Sequence, residues 1–117
     1  MNINADKNLI IKLISNILST AINYAEENST IIITSRLLNN SLEFSIAYQG
    51  KALSEEECER MFSKKTHFST VGHGIKMYFS KKIVDFHNGK IWVESEENKG
   101  SKFIFILPKY IMMNQSV

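Results

Sequence analysis

The sequence predicts an α+β fold: a two-layer α/β sandwich whose mixed, mostly antiparallel sheet is covered by helices. Two pairs of strand-like runs are each joined by a short turn, and two amphipathic helical runs accompany them. Hairpins with one apolar face need a cover, and the helices carry matching apolar faces. The pattern is also continuous. No repeat or linker divides the 117 residues, a length suited to one domain.

In chain order, Asp6 can cap a first helix, Asp6–Tyr24. Leu9, Ile10, Leu13, Ile14, Ile17, Leu18, Ala21 and Ile22 recur at helical spacing and form its apolar face, while Asn16, Thr20 and Asn23 share a polar edge. "TIIITSRL" (Thr30–Leu37) is β-branched and reads as a strand. "LEFSIAY" alternates, with Leu42, Phe44, Ile46 and Tyr48 on one face. Asn39–Ser41 between them is turn chemistry, because asparagine tolerates positive φ. Ser54 and Glu57 form a capping-box signature for a short helix through Met61 and Phe62. "SKKTHFSTVGHG" (Ser63–Gly74) has no clean period and reads as a loop, with high mobility or an irregular course expected over Ser63–Val71. A helix over Ile75–Phe86 is stopped by Asn88–Gly89, glycine being common just past a helix end. "KIWVES" (Lys90–Ser95) and "SKFIFILP" (Ser101–Pro108) form the second hairpin across "EENKG", and the tail beyond should fray.

Composition narrows the functional classes. A net charge of +2, from 14 basic and 12 acidic residues, is too balanced to argue for a nucleic-acid or membrane partner. The start has no signal design and no apolar run spans a bilayer, which predicts a cytoplasmic chain without membrane insertion. The single cysteine, Cys58, excludes an intramolecular disulfide and reads as an incidental thiol among charges. His67, His73 and His87 lack metal-ligand spacing.

Several blocks then fall in a known order: "SNILSTAINY" (Ser15–Tyr24), "IAYQGKAL" (Ile46–Leu53), "ERMF" (Glu59–Phe62), "GHGIKM" (Gly72–Met77) and "KKIVDFHNGKIWVESEENKGSKFIFILP" (Lys81–Pro108). The chain resembles the catalytic, ATP-binding domain of bacterial sensor histidine kinases, from Asp6 to Pro108. That domain shares the Bergerat-type fold of DNA gyrase, heat-shock chaperones of the Hsp-ninety type and mismatch-repair ATPases. The resemblance implies one ATPase-like domain over residues 1–110 and a tail over 111–117. The family's chain normally begins earlier, with a further strand and helix, so a fragment or a trimmed domain with an exposed sheet edge is expected.

The resemblance also marks the nucleotide positions. In the family's N-x-x-x-N-A-x-K-Y box, Asn16 fits the first asparagine and Tyr24 the last residue, but Thr20 stands for the principal Mg²⁺-binding asparagine and Asn23 for the lysine. A hydroxyl is a shorter and weaker ligand than an amide oxygen. In the D-x-G-x-G box, Tyr48 replaces the carboxylate that reads the adenine amino group, Gly50 is kept, and Ala52 replaces a glycine. In the G-x-G-x-G box, Gly72 and Gly74 are kept and Lys76 takes the third place. Any metal would have to use Asn16 and Thr20. Losing a charge-assisted hydrogen bond costs about 1.5–3 kcal/mol, against roughly 8 kcal/mol for micromolar binding.

The expectation is a degenerate histidine-kinase-type domain of a two-component system or phosphorelay. It needs no cofactor and docks kinase dimerisation helices or a receiver domain, with a homodimer possible. The alternative is a divergent active kinase that binds Mg-ATP through Asn16, Tyr24, Gly72, Gly74 and Lys76 and phosphorylates a histidine on another domain.

Overall fold

The computed structural model describes residues 6–63 and 73–108. Helix α1 (Lys7–Tyr24) is followed by strands β1 (Ile31–Leu38) and β2 (Ser41–Tyr48), helices α2 (Glu55–Arg60) and α3 (His73–Phe86), and strands β3 (Lys90–Glu96) and β4 (Gly100–Pro108). The two hairpins join through their second strands, giving the order β1-β2-β4-β3. All three pairings are antiparallel, so the sheet is purely so among the described residues. Helix α1 packs over β2, and α3 over β3 and β4.

The alternation read from the sequence places the core. Leu42, Phe44, Ile46 and Tyr48 lie opposite Leu107, Phe105, Phe103 and Ser101 in register, and this face meets the helices. Phe44 and Phe105 stack with ring centroids 5.1 Å apart. Leu13, Ile17 and Ile83 are buried as expected. Ile22 is not: it is 59% exposed. It follows buried Ala21 by one residue, about 100° round the helix, and so turns away from the sheet.

Local chemistry sets the ends. The Asp6 carboxylate accepts from the Leu9 N–H at 3.1 Å, and Ser54 with Glu57 completes the capping box. Helix α2 is shorter than expected, because Met61 is its C-cap and turns into the core. At the end of α3 the left-handed residue is Asn88 (φ 59°), not Gly89. The Asn88 and Gly89 N–H groups donate to the carbonyls of Asp85 and Val84 in a Schellman pattern. Gly89 serves a different need: a Cβ there would stand 2.1 Å from the Ile106 carbonyl oxygen. Asn39 and Asn40, expected to use positive φ, do not, although Leu38 pairs with Ser41 across them.

No helix among the described residues is long and apolar enough to cross a membrane. The loop expected over Ser63–Gly74 lies outside the described residues except at its ends, since α3 already begins at His73. Its mobility, His67, Gly72 and the tail likewise fall outside them.

Candidate functional site

Two groups of the polar edge of α1, Asn16 and Thr20, bond within the protein, the first of them to α3. Asn16 is 3% exposed, and its Nδ2 donates to the Lys76 carbonyl oxygen at 3.3 Å. Thr20 is fully buried; its hydroxyl turns back along the helix to donate to the Asn16 carbonyl oxygen at 3.0 Å. The Lys76 ammonium reaches from α3 to the Ser19 hydroxyl at 3.0 Å. Asn16 and Ser19 therefore hold α3 to α1 through one residue, once by its backbone and once by its side chain. Asn23, one turn beyond Ser19, is exposed. Gly74 lies in the first turn of α3.

The segment after β2 is held from two sides. Ala25 bridges Gly50, and the Glu26 N–H donates to the Gln49 carbonyl oxygen at 2.8 Å. A Cβ on Gly50 would stand 2.3 Å from the Tyr24 carbonyl oxygen. Gly50 is thus needed where backbone meets backbone. Gly100, at φ +93°, closes the other side, with room for no Cβ against the Tyr48 carbonyl oxygen at 2.1 Å. Ala52 has no positive φ, so its backbone does not require a glycine.

Tyr48 is the centre of this arrangement. It is 3% exposed and stacks on Phe103 with centroids 6.1 Å apart. Its hydroxyl is buried and makes no hydrogen bond among the described residues. Burial pushes the phenol up to about 12; the nearby Ser101 hydroxyl opposes the shift without forming a hydrogen bond of ordinary geometry, while Tyr24 and Cys58 add to it. The Ser101 hydroxyl itself pairs with that of Ser95 at 2.8 Å.

The structure brings Asn16, Thr20 and Lys76 together at the α1–α3 seam, and Tyr24, Tyr48 and Gly50 at the end of β2. Ser19 was missed from the sequence. Its spacing to Asn23 was visible, but no local pattern reveals a partner 57 residues away. His87 is structural: its Nδ1 faces the Ile83 carbonyl oxygen at 2.8 Å and its Nε2 accepts from the Asp6 N–H at 3.1 Å. The Cys58 thiol is raised first by burial and then by Glu57, Glu55 and Glu59, which argues against a nucleophile.

Comparison with known proteins adds three findings. The profile of a family described as histidine kinase-, DNA gyrase B-, and HSP90-like ATPase matches residues 5–111. The chain is 30% identical to an adaptive-response sensory kinase SasA of Prochlorococcus marinus, over 99% of this chain and 32% of that kinase. It is 34% identical to the SasA of Gloeothece citriformis, over 91% of this chain and 28% of that kinase. It thus spans about a third of the length of these relatives. Among solved structures, a nucleotide-free catalytic domain of histidine kinase ThkA superimposes with a TM-score of 0.83 at 36% identity, covering 92% of this chain and 70% of that one. ThkA in complex with the response regulator TrrA gives 0.77 at 36% identity, covering 92% and 30%.

Proposed function

The chain belongs to the histidine kinase-, DNA gyrase B-, and HSP90-like ATPase family, and within it we propose a degenerate member: a cytoplasmic regulatory module of a two-component system or phosphorelay. The observation that carries this reading is Tyr48. Its buried ring stacks on Phe103 where relatives place an adenine-reading carboxylate. A nucleotide base would have to expel that ring against a burial worth roughly 1.5–3 kcal/mol. The metal positions support the same reading. The Asn16 amide donates to α3, and the Thr20 hydroxyl is turned into its own helix. Only the Asn16 amide oxygen is left toward a hydrated Mg²⁺ carrying phosphates, without the second amide oxygen that the family's asparagine would supply, so no phosphoryl-transfer step is assigned to these residues. The partners in this reading are kinase dimerisation helices or a receiver domain, by analogy with the ThkA–TrrA complex.

A second reading, a divergent active kinase, is favoured by one observation. Lys76 places a cation beside the α1 edge where the family's lysine has become Asn23. A fluorescent-nucleotide titration of the unmodified chain, Tyr48→Asp, Thr20→Asn and the double variant separates the readings. The degenerate reading expects no binding by the first three and weak binding by the double variant alone. Equal binding by the unmodified and double variants would overturn it.

A further inference from the structure

The Lys76 ammonium is half-buried at the α1–α3 seam, and its one partner among the described residues is neutral: the Ser19 hydroxyl at 3.0 Å. A cation drawn part-way out of water is normally matched by an opposite charge. The seam supplies none. Segments 7–25 and 61–84, which carry α1, α3 and the stretch leading into it, hold seven lysines and no acidic residue, although the chain as a whole is nearly balanced. Asp6 and Asp85 stand at the other end of the seam, where His87 meets α1, and Asp85 is held by Lys81 at 3.0 Å. Glu26 lies past the end of α1.

We infer that the Lys76 end of the seam is a metal-independent site for a phosphate-type oxyanion, held by Lys76, Ser19 and Asn23. Three donors share this edge. Lys76 has three N–H groups and gives one to Ser19. Ser19 accepts that bond with a lone pair, so its own O–H is left to donate outward. Asn23 stands four residues further along the same edge of α1, with its side chain exposed. A tetrahedral oxyanion carries the missing charge and has oxygens enough to accept from all three. The inference rests on the degenerate reading above, because it uses neither a base site nor a metal. The sign of the metal's effect separates the two kinds of site. Where Mg²⁺ carries the phosphates, adding it tightens binding. Here it takes up the charge that Lys76 meets, so adding it weakens binding.

Calorimetric titration of the whole chain with inorganic phosphate and with pyrophosphate, in EDTA, is the test. Pyrophosphate should bind with a constant of about 1 mM or tighter, and excess Mg²⁺ should weaken it. Lys76→Met, folded by circular dichroism, should lose about tenfold or more, Ser19→Ala about threefold, and Lys76→Arg less than about threefold. Lys102→Met removes the same charge from an exposed position on the sheet face away from the helices and should change nothing. Equal affinity for the two anions assigns a single phosphate, and tighter pyrophosphate the end of a longer phosphate chain; either supports the site. No saturation by either anion at about 10 mM, binding that requires Mg²⁺, or equal losses in Lys76→Met and Lys102→Met would each overturn the inference. Micromolar Mg-ATP binding without metal-free binding would sink the degenerate reading as well, whereas no binding of any anion would sink this inference alone.

Discussion

The unit formed by α3, β3 and β4 and the polar edge of α1 are both tightly held, but by different means. In the first, backbone meets backbone: Gly89 and Gly100 leave no room for a Cβ against Ile106 and Tyr48, and His87 ties the end of α3 to the start of α1. In the second, side chains at the positions marked by the family resemblance bond to the protein itself, as Asn16, Thr20 and Lys76 do. The close approaches that a shared fold needs have been kept, while these side chains bond across and along the helices. On the degenerate reading proposed above, the fold is inherited intact by a chain whose site chemistry is not.

The largest test of that contrast is Gly100→Ala. The added Cβ meets a backbone oxygen at 2.1 Å, at a φ of +93°, and should cost about 3 kcal/mol or more in urea unfolding. A loss below about 1 kcal/mol would mean that the β3–β4 turn does not hold the Tyr48 segment. His87→Ala comes next. It removes the acceptor of the Asp6 N–H and the bond to Ile83, and should cost about 2 kcal/mol by the same measurement.

Tyr48→Phe should act in the opposite direction. It removes a buried hydroxyl without a partner and should stabilise by about 1 kcal/mol. Its alkaline behaviour sharpens the point. The phenol's pKa is near 12 folded against 10.0 unfolded, so folding favours the neutral form. The stability tied to that form is full below pH 10 and is lost as the pH rises from there through 12. Tyr48→Phe should remove that part of the alkaline loss, and absorbance at the phenolate band should lose its latest transition. The smallest effect is expected for Ser19→Ala, which deletes only the acceptor of a half-buried lysine. A change within about 1 kcal/mol is predicted.

Much of this was legible in the sequence because it depends on local period. The α1 and α3 faces, both hairpins and the inward turn of Tyr48 follow from spacing. Asp6 and the Ser54–Glu57 box follow from capping chemistry. Ile22 was misplaced because the apolar stripe narrows beyond Ala21. That β1 is the outer strand beside β2 was not legible from its own residues, because sheet order is not written in one strand's composition. Asn88 rather than Gly89 takes the left-handed turn because a tertiary contact with Ile106 claims the glycine. The Lys76–Ser19 bond joins two helices distant in sequence, and no local pattern encodes it.

Calorimetric titration of the unmodified chain with Mg-ATP tests the central claim most directly. The account predicts no saturable heat up to about 1 mM nucleotide, since on the proposed reading Tyr48 fills the base position and Thr20 offers the metal no amide oxygen. A dissociation constant in the micromolar range would contradict it and establish the divergent-kinase reading.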